Sequence, residues 1–336
     1  MASIVSVLLT DALPRVLSIT LLVGAGVGLA NLAVAYGLVD VVARAGRYLT
    51  DPANLPDEVG AAVLTNAVSV TAGYGMLAEF RESGLLDDRA TLVAVVVNTF
   101  FGFVQHVFTY YGPVIVPILG LHAGLLYVGA RAGISLAISL VGLVAGAVLL
   151  RGYEYDADAV DPTVTDGGEG EDGSAERTHR DRVREAGHET ADRLRSIVPR
   201  LAVVYSLVFV ALERADALRS LLAAAGLREP AALVDPVAGL VGLPGAAVPA
   251  ILVSLVDPTS GAVAVAPMIG DVLTPAQAVV ALLIGSLFSL TVGTVKRSIP
   301  FQFGIWGPEF GAKVILVNVG LKAAFILVAI GVLLLA

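Results

Sequence analysis

LVDPTSGAVAVAP, residues 255–267, sets an aspartate, a proline, two hydroxyls and a glycine inside an apolar stretch. In water such a run makes a surface turn. In a membrane it breaks a helix where no water binds the freed backbone groups, so the break must face protein or a wet cavity. Composition decides between the two settings. The chain is 57% hydrophobic and only 15% charged, with a mean hydropathy of +0.85, whereas soluble domains carry about 25% charged residues. An integral membrane protein follows, multi-pass and placed in the cell membrane.

Several classes of function are excluded at the same level. The chain has no cysteine, which removes disulfides, thiolate metal sites and cysteine nucleophiles. A net charge of -8 and a pI near 5.0 oppose nucleic-acid binding and suit a high-salt cytoplasm. The first basic residue is Arg15, so no charged region precedes the apolar start and a cleaved leader is not expected. HExxH, a phosphate loop ending in GK[ST] and GxSxG are all missing, and no enzyme activity or cofactor is expected. His106 has no second histidine at i+3 or i+4, so no metal site is expected either.

A helix needs about 20 apolar residues to cross the hydrocarbon core. Stretches that satisfy this lie near 15–42, 88–110, 122–150, 197–224, 276–296 and 312–335. Two more apolar stretches, near 58–84 and 243–271, are interrupted at their centres: GAAVLTNAVSVTAGYGMLAEF, and the run that contains the opening stretch. Residues 152–175 carry eight carboxylates and no basic residue and read as a disordered acidic linker. Residues 176–196 mix both signs at helical spacing and read as a solvated helical extension, or as a docking arm. The chain thus divides into a first transmembrane half (1–151), a linker with a charged helix (152–196) and a second half (197–336).

The halves resemble each other. At an offset of 187, LLDDRATLVAVVVNTFFGFVQHVFTYYGPVIVPILG (85–120) lies over VLTPAQAVVALLIGSLFSLTVGTVKRSIPFQFGIWG (272–307), matching Pro113 to Pro300 and Gly120 to Gly307. One gap earlier, Thr71 and Gly73 meet Thr259 and Gly261. An arm of about 12 residues rises roughly 18 Å, about half of a ~30 Å core, so each interrupted stretch is expected to be a re-entrant helical hairpin. Three crossings per half are an odd number, and the second half then starts on the opposite side. The predicted fold is all-α, with two inverted repeats of about three transmembrane helices and one re-entrant hairpin each.

Basic residues collect on one predicted side: Arg44, Arg47, Arg81, Arg89, Arg151, Lys296, Arg297, Lys313 and the arginines before Arg200. The positive-inside rule places that side, with the 152–196 segment, in the cytoplasm.

At the hairpin tips the candidate solute-binding residues are Asn66, Ser69, Thr71 and Gly73 in the first, and Asp257, Thr259, Ser260 and Gly261 in the second. Freed N–H groups at the start of a second arm suit an anion or a hydroxyl, and freed carbonyls at the end of a first arm suit a cation. The competing reading is that these residues only cap the broken helices. Pro258 would end the incoming arm and Gly261 would permit the tight return.

Elsewhere, Lys322 lies deep in an apolar helix with Asn318 on the same face, four residues earlier. The repeat sets Arg131 over Asn318 and Ser135 over Lys322. Either Arg131 and Lys322 snorkel to headgroups, or Lys322 faces the interior as a functional residue. Asn98 and Gln105 add polar candidates to the 88–110 helix. Tyr110, Tyr111 and Trp306 read as interface anchors at helix breaks.

The stretch MLAEFRESGLLDDRATLVAVVVNTFFGF (76–103), with its charged SGLL junction entering an apolar helix, resembles the Gate or nucleoside-recognition family of membrane proteins. That family includes the gate regions of concentrative nucleoside transporters and of the ferrous iron transporter B, and the spore maturation proteins A and B. The likeness spans about 55–150 and 240–336. It implies a helical transporter-like core that binds a small solute between hairpin tips and broken helices. The chain departs from the nucleoside transporters in carrying VTAGYG where their glutamate-bearing hairpin signature stands, and from the iron transporter in having no GTPase domain.

The expected function is movement of a small polar solute, a nucleoside being one such solute, by alternating access coupled to Na⁺ or H⁺. The alternative is a non-transporting membrane scaffold of the spore-maturation type, with the 152–196 arm as the docking element. Expected partners are the lipid bilayer, the solute, and a second copy or a membrane partner protein.

Overall fold

A computed structural model of the chain describes residues 50–155 and 241–335 continuously, with isolated positions near the N-terminus and between 184 and 239. Most of the expected spans at 15–42 and 197–224, and almost all of the 152–196 segment, lie outside the described residues. The described part is all-helical, with no strand. Three helices among the described residues are long and apolar enough to cross a membrane: Asp88–Leu119, Leu121–Leu149 and Ile299–Leu335.

The first interrupted stretch forms α1 (Asp57–Val68) and α2 (Val70–Glu82), separated by the single extended residue Ser69 at φ -139°, ψ 108°. The second forms α5 (Val248–Val256) and α6 (Pro258–Val265), separated by Asp257 at φ -148°, ψ 120°. Between them in sequence lie α3 (Asp88–Leu119) and α4 (Leu121–Leu149), and after them α7 (Pro275–Gly293) and α8 (Ile299–Leu335). Pro258 follows Asp257 directly, and a residue that precedes proline is pushed out of the helical region into extended backbone. The arms of the second hairpin, 9 and 8 residues, are shorter than the 12 expected from sequence.

Both breaks are finished in the same way. Ser69 Oγ accepts from the Ala72 N–H at 3.3 Å, and Asp257 Oδ2 accepts from the Ser260 N–H at 2.6 Å. Each is an N-cap that satisfies one orphan donor of the outgoing arm. The first tip therefore sits at Ser69, one of the residues expected there. Thr71 itself is exposed.

The arms fold back on one another at a small residue. A Cβ on Gly73 would stand 2.6 Å from Asn66 Cβ and 2.8 Å from the Ala62 carbonyl oxygen; one on Gly261 would stand 1.9 Å from Ser254 Oγ and 2.6 Å from Ser254 Cβ. Gly261 was expected to supply turn geometry. Its backbone is helical, and what it supplies is room.

These features recur between the halves at the offset of the sequence repeat. Ser69 corresponds to Asp257, Asn66 to Ser254 and Gly73 to Gly261. Asp87, whose carboxylate caps α3 through the Ala90 N–H at 2.7 Å, corresponds to Thr274, which caps α7 in a full capping box with Gln277. A π-helical stretch begins at Val107 in one half and at Thr294 in the other. Gly120 ends α3 at φ 78°, ψ 164° and Gly307 kinks α8 at φ 74°, ψ 167°.

Each hairpin leans on the helix that follows it. The Asn66 amide, buried to 1%, packs on α3 at Asn98 and Gly102. Donation of its nitrogen to the Val70 carbonyl (3.1 Å), with its oxygen accepting from Asn98 Nδ2 (3.1 Å) and the Gly102 N–H (3.2 Å), satisfies every neighbour. In the second half Ser254 takes that place, giving its proton to the Ala250 carbonyl at 2.8 Å and packing on α7 where a Gly285 Cβ would come within 2.3 Å. Helix α4 locks α3 from the other side: Ser139 Oγ donates to the Val97 carbonyl (2.7 Å) and accepts from the Phe100 N–H (3.0 Å).

Two apolar cores result. One surrounds the first hairpin with Leu77, Phe80, Phe101 and Phe310. The other surrounds the second hairpin with Ile251, Val263, Leu283 and Ile118. The expected span 276–296 is observed as α7, whose apolar part Pro275–Thr291 is shorter than the three long helices.

Candidate functional site

A cavity of about 820 Å³ opens between α3, α4, α8, the tip of the second hairpin and the α7 end. Its walls are polar although the elements that build it are apolar. The break at Asp257 delivers Asp257, Pro258 and Thr259; the π-helical stretch of α3 delivers Thr109, Tyr110 and Tyr111; α4 delivers Tyr127 and Arg131; α8 delivers Gln302, Asn318 and Lys322. Pro113 within the π stretch has no N–H to give, and such widened turns re-aim side chains that a regular helix would turn elsewhere.

The two halves meet across this cavity. Tyr110 Oη and Thr259 Oγ1 share a hydrogen bond of 2.9 Å. Arg131 Nε donates to Tyr111 Oη at 3.2 Å, and the Tyr111 ring packs against Tyr110 and Tyr127 at centroid distances of 5.1 and 6.1 Å. Ser286 gives its proton to the Leu282 carbonyl at 2.8 Å, so in its 3.5 Å contact with Tyr127 Oη the tyrosine is the donor. Tyr74 of α2 also reaches the cavity, stacking edge-on against Phe301 and Trp306.

Of the residues expected from sequence, Gln105, Asp257, Thr259, Asn318 and Lys322 line this cavity. Asn66, Ser69, Thr71, Gly73, Asn98, Ser260 and Gly261 do not. Asn66, Asn98, Gly73 and Gly261 are packing residues, because close approach of two helix backbones uses up the space a solute would need. Ser69 is a helix cap, and Ser260, buried at 8%, offers its N–H to Asp257.

Tyr110 and Tyr111 were read as interface anchors and instead line the cavity. Trp306 is buried at 6%, with its indole N–H donating to Gln302 Oε1 at 2.7 Å. The aromatic-then-glycine pattern that suggested an interface marks an interior helix break here. Arg131 lines the cavity together with Lys322. A cation at the middle of a membrane helix costs about 2.5–3.5 kcal/mol on insertion scales, and a wet cavity relieves that cost. The repeat alignment of Arg131 with Asn318 was the signal that could have found it. Ser135, its counterpart across from Lys322, is buried outside the lining.

Just past the Gly307 kink of α8, Lys313 Nζ donates to Asp88 Oδ2 at 3.0 Å while Arg81 Nη2 donates to Asp88 Oδ1 at 2.6 Å. Arg81 also lies 4.2 Å over the Phe310 ring. This cluster ties the first hairpin, α3 and α8 together, and it joins two basic residues that the sequence reading put on one side of the membrane.

The chain is 24% identical over 316 residues to the uncharacterized protein MJ0880 of Methanocaldococcus jannaschii, covering 92% of this chain and 94% of that one. It is also 24% identical over 253 residues to the uncharacterized protein MJ0871 of the same organism, covering 74% and 71%. No family model and no solved structure matches the chain.

Proposed function

We propose that this protein moves a small polar solute across the membrane by alternating access, with the cavity at Asp257, Tyr110, Arg131 and Lys322 as the binding site. In this reading the chain consists of two inverted repeats, each hairpin is re-entrant, and the Gate-type resemblance reflects a shared transporter-like core. Coupling is to Na⁺ or H⁺.

The observation that carries the reading is the cavity. Polar groups from an interrupted hairpin, two π-helical stretches and two long apolar helices converge on one space, and broken helices with midplane polar sites are how secondary transporters hold solutes. The recurrence of caps, glycines and π turns between halves supports a repeat, which supplies two similar bodies able to rock against each other. A volume of about 820 Å³ suits a small molecule, since such sites run from about 300 to 1,000 Å³.

The test is uptake by the full-length protein in proteoliposomes with an imposed Na⁺ or proton gradient, using uridine, uridine monophosphate, malate, succinate and agmatine as probes. Saturable, gradient-dependent uptake of at least one probe is expected. Absence of both uptake and binding for all of them in folded protein overturns the reading.

A further inference from the structure

The charge and hydrogen-bond inventory of this cavity is unequal. Two basic side chains line it, Arg131 and Lys322, against one carboxylate, Asp257, among the described residues. Asp257 is already engaged as the cap of α6, accepting from the Ser260 N–H at 2.6 Å. Arg131 carries five donor hydrogens and gives one of them to Tyr111; its other donors meet no acceptor among the described residues. Lys322 carries three donors and has no hydrogen bond or ion pair among the described residues.

Three of the lining hydroxyl groups have the opposite bias. Ser286 donates to the Leu282 carbonyl (2.8 Å), Ser289 to the Ser286 carbonyl (3.0 Å) and Thr294 to the Leu290 carbonyl (2.7 Å). Each has spent its single proton on its own helix. What these three present to a solute are lone pairs, which accept hydrogen bonds.

We propose that the solute is an organic anion: a carboxylate or phosphate that occupies the space between Arg131 and Lys322, on a molecule that also carries O–H or N–H donors for the spent hydroxyls. The inference rests on the transport reading of the same cavity and names its substrate class. Arginine and lysine lining one cavity favour an oxyanion, because charge-assisted hydrogen bonds are about twice as strong as neutral ones. A cationic solute would face two like charges, and a neutral one would leave the excess of basic over acidic side chains in this lining unmatched. The three hydroxyls separate a hydroxy acid or nucleotide from a bare dicarboxylate.

The experiment uses full-length protein in nanodiscs of neutral phosphatidylcholine and compares probes that differ in one group: uridine monophosphate against uridine, malate against succinate, with agmatine as the cation. The expected result is a raised unfolding midpoint with uridine monophosphate or malate, none with uridine or agmatine, and a weaker effect with succinate. Lys322→Gln and Arg131→Gln each weaken anion binding by about 30-fold or more, as expected for truncating one side of a buried charge pair, while Lys322→Arg retains most of it.

Uridine binding as tightly as uridine monophosphate, with no change in Lys322→Gln, overturns the anion assignment and leaves the transport reading standing. Binding by no probe of any charge overturns both. Stabilisation by phosphatidylglycerol in place of either soluble anion also overturns the proposal, making the cations a lipid headgroup site. Should Lys322→Gln fail to fold, the comparison of uridine monophosphate with uridine on the unaltered protein decides alone.

Discussion

Tyr110 Oη and Thr259 Oγ1 lie 2.9 Å apart although 149 residues separate them in the chain. One belongs to the π-helical stretch of α3, the other to the first turn after the break in the second hairpin. This bond joins the two halves at the wall of the polar cavity, and the proposed alternating access requires it to break. Tyr110→Phe and Thr259→Val are each expected to lower stability modestly. Their double-mutant coupling should be about 0.5–1.5 kcal/mol, read from thermal unfolding of the purified protein, and additive effects of the two substitutions would show that the bond holds nothing.

Gly73→Ala and Gly261→Ala are expected to cost about 1–3 kcal/mol each by overpacking, because the new methyl meets Asn66 and Ser254 at 2.6 Å or less. Ser254→Ala in the Gly261→Ala background removes the 1.9 Å Oγ contact and restores part of the loss. A fall in unfolding midpoint for Gly261→Ala that the second substitution leaves unchanged would mean that some other contact limits the approach.

Gly120→Ala and Gly307→Ala are costly for a different reason. Nothing lies within 4 Å of an added Cβ at either position, yet φ of 78° and 74° with ψ near 165° is backbone open essentially to glycine alone. The expected loss is about 1–3 kcal/mol. No second-site truncation should rescue it, in contrast to Gly261→Ala, and thermal unfolding of the single and paired variants separates the two cases.

Asn66→Ala tests whether this amide is a packing residue or a ligand. It should lower stability by about 1–3 kcal/mol, since it orphans Asn98 and Gly102 in a buried place, and leave solute binding within about two-fold of the unaltered protein. Weakened binding by isothermal titration at unchanged stability would return Asn66 to the site.

Asp88→Asn removes both the Arg81 and the Lys313 ion pairs. The side chains are between 29% and 47% exposed, so the loss should be small: about 0.2–1 kcal/mol for the Arg81 pair and less for the more exposed Lys313 pair. The unfolding midpoint of the unaltered protein should fall toward that of Asp88→Asn as salt is raised, because exposed pairs are screened.

Much was legible along the chain because it is local chemistry. Apolar runs of sufficient length predict helices in a membrane, and α3, α4 and α8 are among them. Asp257-Pro258 predicts a helix break through proline's missing donor and its effect on the preceding residue. The spacing of Gly120 and Gly307, of Ser69 and Asp257, and of Asp87 and Thr274 carries the repeat. Lys322 and Asn318, four residues apart on one helix, share a face in any structure.

What only the tertiary structure decided is which polar residues meet. A polar side chain in an apolar helix reads the same whether it faces a cavity, caps a neighbour or fills the gap between two backbones. Asn66 and Asn98 face each other, so they pack; Gly73 and Gly261 let the arms touch, and an added Cβ at either would clash with the facing arm. Tyr110, Tyr111 and Arg131 enter the cavity because a π-helical stretch turns part of α3 and because α4 returns beside it. Helical periodicity predicts a face for each residue, but a π turn shifts that face, and the partner of the face comes from segments more than 100 residues away.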